Sequence, residues 1–151
     1  MRILFCSAGR RCELLKDFRK SMEPGSWLVA ADLNPYAPAL YDADAYYIVP
    51  RMTAPGYIDE ILKICSKEQI HGVLSLIDPE LSLLAQNRSR FEAVGTTIIG
   101  SSYALCEMAL DKWSMYLWLT EHGFHCAKTY LDLHTFEKAL SEKEVSFPVF
   151  I

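Results

Sequence analysis

Arg2-Ile3-Leu4-Phe5-Cys6-Ser7-Ala8-Gly9-Arg10-Arg11 is the stretch that decides the fold. Four apolar residues in a row are too few for a helix and fit a strand buried on both faces. The small residues Ser7-Ala8-Gly9 then make a tight turn, and Leu14, Leu15 and Phe18 recur at helical spacing until Pro24-Gly25 stops them. The unit is strand, loop, helix.

The same order repeats along the chain. Trp27 to Ala31 reads as a second strand, ending at Asp32 and the turn residues Asn34-Pro35, and Tyr46 to Val49 as a third before Pro50. Ile58, Ile61, Leu62 and Cys65 mark one face of a helix over Tyr57 to Ser66. Gly72 to Ile77 is a fourth strand, and Asp78-Pro79-Glu80 opens the next helix with acidic groups at the positive dipole end. Thr96 to Ile99 is a fifth strand. Short apolar strands alternating with amphipathic helices predict an α/β fold, a Rossmann-like open parallel sheet with helices on both faces.

After Gly100 the pattern changes. Helical segments over Tyr103 to Leu110 and Asp111 to His122 follow one another without a strand, so a domain of residues 1–108 is expected, with a second piece over 109–151. In that piece Ala127 to Leu131 reads as a strand, Leu133 to Leu140 as a helix and Phe147 onward as the opening of another strand. An apolar strand at a chain end lacks partners for its backbone groups, and the expectation is therefore an N-terminal part of a larger protein.

Bulk properties narrow the classes. The chain has 151 residues, 51% of them hydrophobic and 23% charged, which suits one full domain and a fragment. No apolar run approaches the roughly 20 residues of a membrane span, and no secretory signal opens the chain, so a cytoplasmic location is the default expectation. A net charge of −4 with dispersed Lys and Arg argues against a nucleic-acid partner. Cys6, Cys12, Cys65, Cys106 and Cys126 form no C-x-x-C pair and are odd in number, which argues against a disulfide framework.

Chemistry in open parallel sheets sits beyond the carboxyl ends of the strands, which singles out three loops. Ser7, Gly9, Arg10 and Arg11 offer backbone N–H groups at a helix start and two guanidinium groups, an anion or substrate site; a plain structural turn with solvated arginines accounts for them equally. Asp32 stands where nucleotide-binding sheets present an acid to a ribose, and also where a turn aspartate bonds its own backbone. Asp78 and Glu80 can hold an amine or hydroxyl, or can be an N-cap and an acidic first turn. Cys6 reads as a buried structural thiol, and the histidines show no metal-ligand spacing. Trp113, Tyr116, Leu117 and Leu119 read as core.

Asp111-Lys112-Trp113-Ser114 at a helix start, Leu119-x-x-x-Gly123, Ala127-Lys128-Thr129-Tyr130 and Phe147-Pro148-Val149 together resemble the entry into an ATP-grasp domain. The preceding part resembles a pre-ATP-grasp domain. Ser7 to Arg11, Ala31-Asp32-Leu33-Asn34 and Ile77-Asp78-Pro79-Glu80-Leu81 are similar to those of the carbamoyl-phosphate synthase large subunit. The resemblance implies a ligase that uses ATP and Mg2+ to activate a carboxylate as an acyl phosphate for attack by an amine. It implies an ATP-phosphate role for Lys112, although a solvated first-turn lysine is the plain alternative. Small-molecule carboxylate and amine substrates, with a homodimer or partner subunit, are the partners it implies. The family's second nucleotide-binding lysine, glycine-rich loop and acidic magnesium ligands find no match in these residues, so no catalytic residue is expected here and this segment alone is expected to be inactive. A non-catalytic Rossmann-like nucleotide-binding or subunit-docking module is the competing reading.

Overall fold

The computed structural model describes residues 1–150 and divides into two compact units, Met1–Glu107 and Met108–Ile151. In the first, five parallel strands form one sheet: β1 (Arg2–Phe5), β2 (Trp27–Asp32), β3 (Ala45–Ile48), β4 (Gly72–Leu74) and β5 (Thr97–Ile98), in the order β3-β2-β1-β4-β5. Leu4 pairs with Val29 on one side and Val73 on the other, which places β1 at the centre. The chain first winds one way from β1 through β2 to β3, then crosses back to β4, so the order reverses beside β1.

That reversal puts helices on both faces. Alternate residues of each strand point to opposite sides, and the two sets enter different cores. Ile3, Phe5, Leu28, Ala30 and Leu74 pack with Leu15 of α1 (Cys12–Ser21) and with Leu40 of a short 3₁₀ helix over Pro38–Asp42. Leu4, Cys6, Val29, Ala31 and Val73 pack instead with Ile58, Ile61 and Ile64 of α2 (Tyr57–Glu68), Leu84 of α3 (Asp78–Gln86) and Phe91 of α4 (Arg88–Ala93). Full burial of such side chains contributes about 1.5–3 kcal/mol each, which is why the apolar periodicity alone announced the layers.

In the first unit the order of the five strands matches the sequence reading, whereas the 3₁₀ helix and α4 were not expected and some boundaries differ. β4 ends at Leu74 rather than Ile77, because the Ser75 hydroxyl accepts from the Ile77 N–H (3.2 Å) and turns the chain. Asp78 is not a helix N-cap; Ile77 holds that position and Asp78 is the first helical residue.

The second unit contains α6 (Lys112–Glu121) and α7 (Leu133–Ser141), and α5 (Tyr103–Leu110) runs across the division between units. Asp111 caps α6 by accepting from the Trp113 and Ser114 N–H groups, both at 2.9 Å, and Gly123 at φ +74° follows its end. Asp132 caps α7 in the same way through Thr135. The strands expected over Ala127 to Leu131 and from Phe147 do not form among the described residues. A strand needs a neighbour for its N–H and C=O groups, and among the described residues neither segment pairs with one. The core reading of Trp113, Tyr116, Leu117 and Leu119 is also corrected: no residue of α6 is buried, and Leu117 is 49% exposed.

Candidate functional site

The carboxyl ends of β1 and β2 open into a cleft of about 740 Å³ lined by Gly9, Arg10, Arg11, Asp32, Asn34 and Tyr36, among others. Ser7 (φ +47°) and Gly9 (φ +57°) both adopt left-handed backbone, which turns the chain sharply from β1 into α1. Arg11 takes the N-cap position of α1 with no side-chain cap bond, so the positive end of the helix faces this loop uncapped by a side chain. Arg10 is exposed at the rim.

The two charged residues beside it are already engaged. Asp32 accepts from the Gly9 N–H through Oδ2 and from the Asn34 N–H through Oδ1, both at 2.8 Å, which joins the first loop to the second. Arg11 donates from Nη1 to the Ser7 carbonyl (3.0 Å) and from Nη2 to the Leu76 carbonyl (3.3 Å), which joins the first loop to the third. Of the two readings of Asp32, the turn role is therefore present in the structure. Asn34 continues the turn by accepting from the Tyr36 N–H at 3.0 Å, and Tyr36 is left 83% exposed in the cleft.

Asp78 is exposed on the first turn of α3, in the loop that follows β4. Glu80, two residues on, turns the other way. It is 0% exposed and accepts from the Tyr57 and Ser75 hydroxyls, so the expectation that it lines the crevice is corrected. Nearby Cys6 is buried as expected; burial, then the charges of Glu80 and Cys65, pushes its thiol well up from the usual range. Burial raises Tyr57 as well, with Cys6 and Glu80 adding to it.

In the second unit Lys112 is exposed in the first turn of α6, and its Nζ donates to the Ala109 carbonyl at 2.7 Å. No cluster of three or more His, Cys, Asp or Glu side chains suited to a metal ion occurs among the described residues, and no helix among them is long and apolar enough to cross a membrane.

A family model described as the PylC-like, N-terminal domain matches residues 3–99, well over half of the chain. The chain belongs to the PylC-like N-terminal domain family. Solved structures share its fold: N5-carboxyaminoimidazole ribonucleotide synthetase from Thermotoga maritima matches with TM-score 0.59 and 19% identity, over 97% of this chain and 37% of that one. The Staphylococcus aureus N5-carboxyaminoimidazole synthetase complexed with ADP gives 0.59 and 14%, over 93% and 36%. Glycinamide-RNase-transformylase T from Mycobacterium tuberculosis gives 0.58 and 15%, over 82% and 35%. The chain thus spans about a third of each. No curated protein matches it by sequence. The sheet order and these matches agree with the expected pre-ATP-grasp fold of an ATP-grasp enzyme's N-terminal part.

In this PylC-like domain the structure brings Gly9, Arg10, Arg11 and Asp32 to one cleft, and links Ser7 to it through Arg11. Tyr36, Tyr57 and Ser75 escaped the sequence reading. Tyr36 follows a turn signal with no pattern of its own, and the partners of Glu80 lie 23 and 5 residues away, a spacing without any periodic signature.

Proposed function

We propose that this chain is the N-terminal, pre-ATP-grasp part of an ATP-dependent ligase related to the carbamoyl-phosphate synthase large subunit, with residues 109–151 beginning the ATP-grasp domain. The observation that carries the reading is the cleft at the carboxyl ends of β1 and β2, where an exposed Arg10 stands beside an α1 start that no side chain caps. A carboxylate or other anionic group of the substrate fits that rim, held by one guanidinium and backbone N–H groups. Arg11, Asp32 and the Ser7–Gly9 turn shape it, and Asp78 offers an acid on the neighbouring loop.

In the reaction class, a substrate carboxylate oxygen attacks the terminal phosphorus of ATP and ADP leaves. The amine nitrogen then attacks the acyl carbon, phosphate leaves, and the nitrogen loses a proton to solvent. Lys112, exposed at the first turn of α6, suits contact with the ATP phosphates; the proposal assigns the Mg2+ ligands to residues beyond the pre-ATP-grasp part. Titrating the chain with inorganic phosphate, followed by backbone amide NMR, tests the anion rim. Shifts confined to Gly9 to Glu13, and weakened by Arg10→Ala, support it; no shift there overturns it. In the ligase that carries this segment, Lys112→Ala is expected to raise the ATP requirement for carboxylate- and amine-dependent ADP release, and an unchanged requirement removes Lys112 from the site.

A further inference from the structure

Glu80 is the one fully buried charged side chain among the described residues, and neither it nor its hydrogen-bond partners Tyr57 and Ser75 line the cleft. A carboxyl group in that place costs more than an apolar side chain of the same volume, so packing does not account for it. Direction does. One oxygen accepts from Tyr57 at the start of α2, the other from Ser75 just after β4, and Glu80 itself belongs to α3. Cys6 at the end of β1 lies against the same group, within reach of the Tyr57 hydroxyl.

The Ser75 hydroxyl, fixed by Glu80, accepts from the Ile77 N–H, and the intervening Leu76 carbonyl accepts from Arg11, whose other nitrogen holds the Ser7 carbonyl. The Ser75–Ile77 segment is therefore gripped from beneath by Glu80 and from the cleft side by Arg11. We propose that Glu80 is a positioning residue for the cleft: through Ser75 it sets the Leu76 carbonyl that anchors Arg11, and so sets the shape of the loop that carries Arg10. The proposal deepens the anion-rim reading and rests on it for its functional meaning.

The test compares the 151-residue chain with its S75A, E80Q and Y57F variants by NMR. S75A removes one hydroxyl and leaves the carboxylate and Tyr57 in place. E80Q puts an amide N–H₂ against a hydroxyl that now donates. Three readouts apply: the Arg11 side-chain Nε–H signal, amide exchange at Ile77, and the Kd for inorganic phosphate. The expected result is a displaced Arg11 signal and about tenfold faster Ile77 exchange in S75A and E80Q, with phosphate affinity lowered about threefold or more. Y57F should disturb Arg11 less, since it leaves Ser75 bonded. A role confined to stability would lower the melting temperature and leave the Arg11 signal unmoved; that outcome in S75A overturns the proposal, and S75A carries the test if E80Q does not fold. Failure of the unmodified chain to bind phosphate would sink the anion rim alone, because the Arg11 and Ile77 measurements need no added anion.

Discussion

The Gly9 N–H donates to the Asp32 carboxylate at 2.8 Å, across 23 residues of sequence, and this bond fixes the first two loops of the cleft against one another. The second Asp32 oxygen serves Asn34, so the side chain spends both of its faces on backbone. Asp32→Ala is expected to lower stability by about 1–2 kcal/mol, since the partly buried Gly9 N–H loses its acceptor while the exposed Asn34 N–H can turn to water. Asp32→Asn should recover only part of that, because its amide N–H₂ cannot accept. Urea unfolding of both variants decides the matter; equal stability of the alanine variant and the parent chain would show that the clamp is idle.

Gly9→Ala should cost stability by a different route. The residue sits at φ +57°, and a Cβ there would lie 3.4 Å from the Arg11 guanidinium. Left-handed backbone alone disfavours alanine by about 1–2 kcal/mol, and the new methyl group comes into van der Waals contact with the Arg11 guanidinium. A lower melting temperature together with a displaced Arg11 signal is expected. A fall in melting temperature alone would mean that the strain stays in the backbone.

The thiols should react in an order set by burial. Cys126 is exposed, whereas Cys6 and Cys65 are buried, and burial pushes Cys65 up to about 11 and Cys6 higher than usual as well. Iodoacetamide at neutral pH is expected to label Cys126 first and to leave Cys6 and Cys65 intact until the chain unfolds, as mass spectrometry of peptides would show. Early labelling of Cys6 would contradict its burial.

The same shift has a consequence for alkaline stability. A thiol raised in the folded state binds its proton more tightly there than in the unfolded chain, so its contribution is complete below the ordinary thiol range and is lost as pH climbs. For Cys65 that window runs from the ordinary value of 9.0 to about 11. The urea midpoint should therefore fall between those limits, and Cys65→Ala should make the fall shallower. An equally steep fall in the variant would assign the effect to other groups.

Phe91 anchors the α2 side of the sheet, fully buried in the core that also holds Ile61 and Val73. Phe91→Ala is expected to cost about 3–5 kcal/mol. By contrast, Asp111→Ala removes the α6 cap and should cost about 1 kcal/mol, read as faster amide exchange at Trp113 and Ser114 with the sheet unaffected.

The sequence by itself determined the layers. Runs such as Leu28-Val29-Ala30-Ala31 and the Ile58, Ile61, Cys65 spacing carry strand and helix periods locally, and burial simply follows the period. The caps at Asp111 and Asp132 are local too, acting on N–H groups two and three residues away, although the sequence reading offered a cap only at Asp78, which the structure makes the first helical residue of α3. What only the tertiary structure decided is where polar groups end up once distant segments meet. Glu80 read as a crevice acid or as part of an acidic first turn, because its first-turn position suits an exposed side chain as well as a buried one. Its direction was chosen by Tyr57 and Ser75, which only the placement of α2 beside β4 brings together. Arg11 read equally as an anion ligand or a solvated turn arginine, and the reversal of strand order beside β1 set the Leu76 carbonyl within its reach. The apolar segments at Ala127 and Phe147 show the converse. Their sequences favour strands, but a strand is held by its neighbour's backbone, and no residue type in the segment supplies that neighbour.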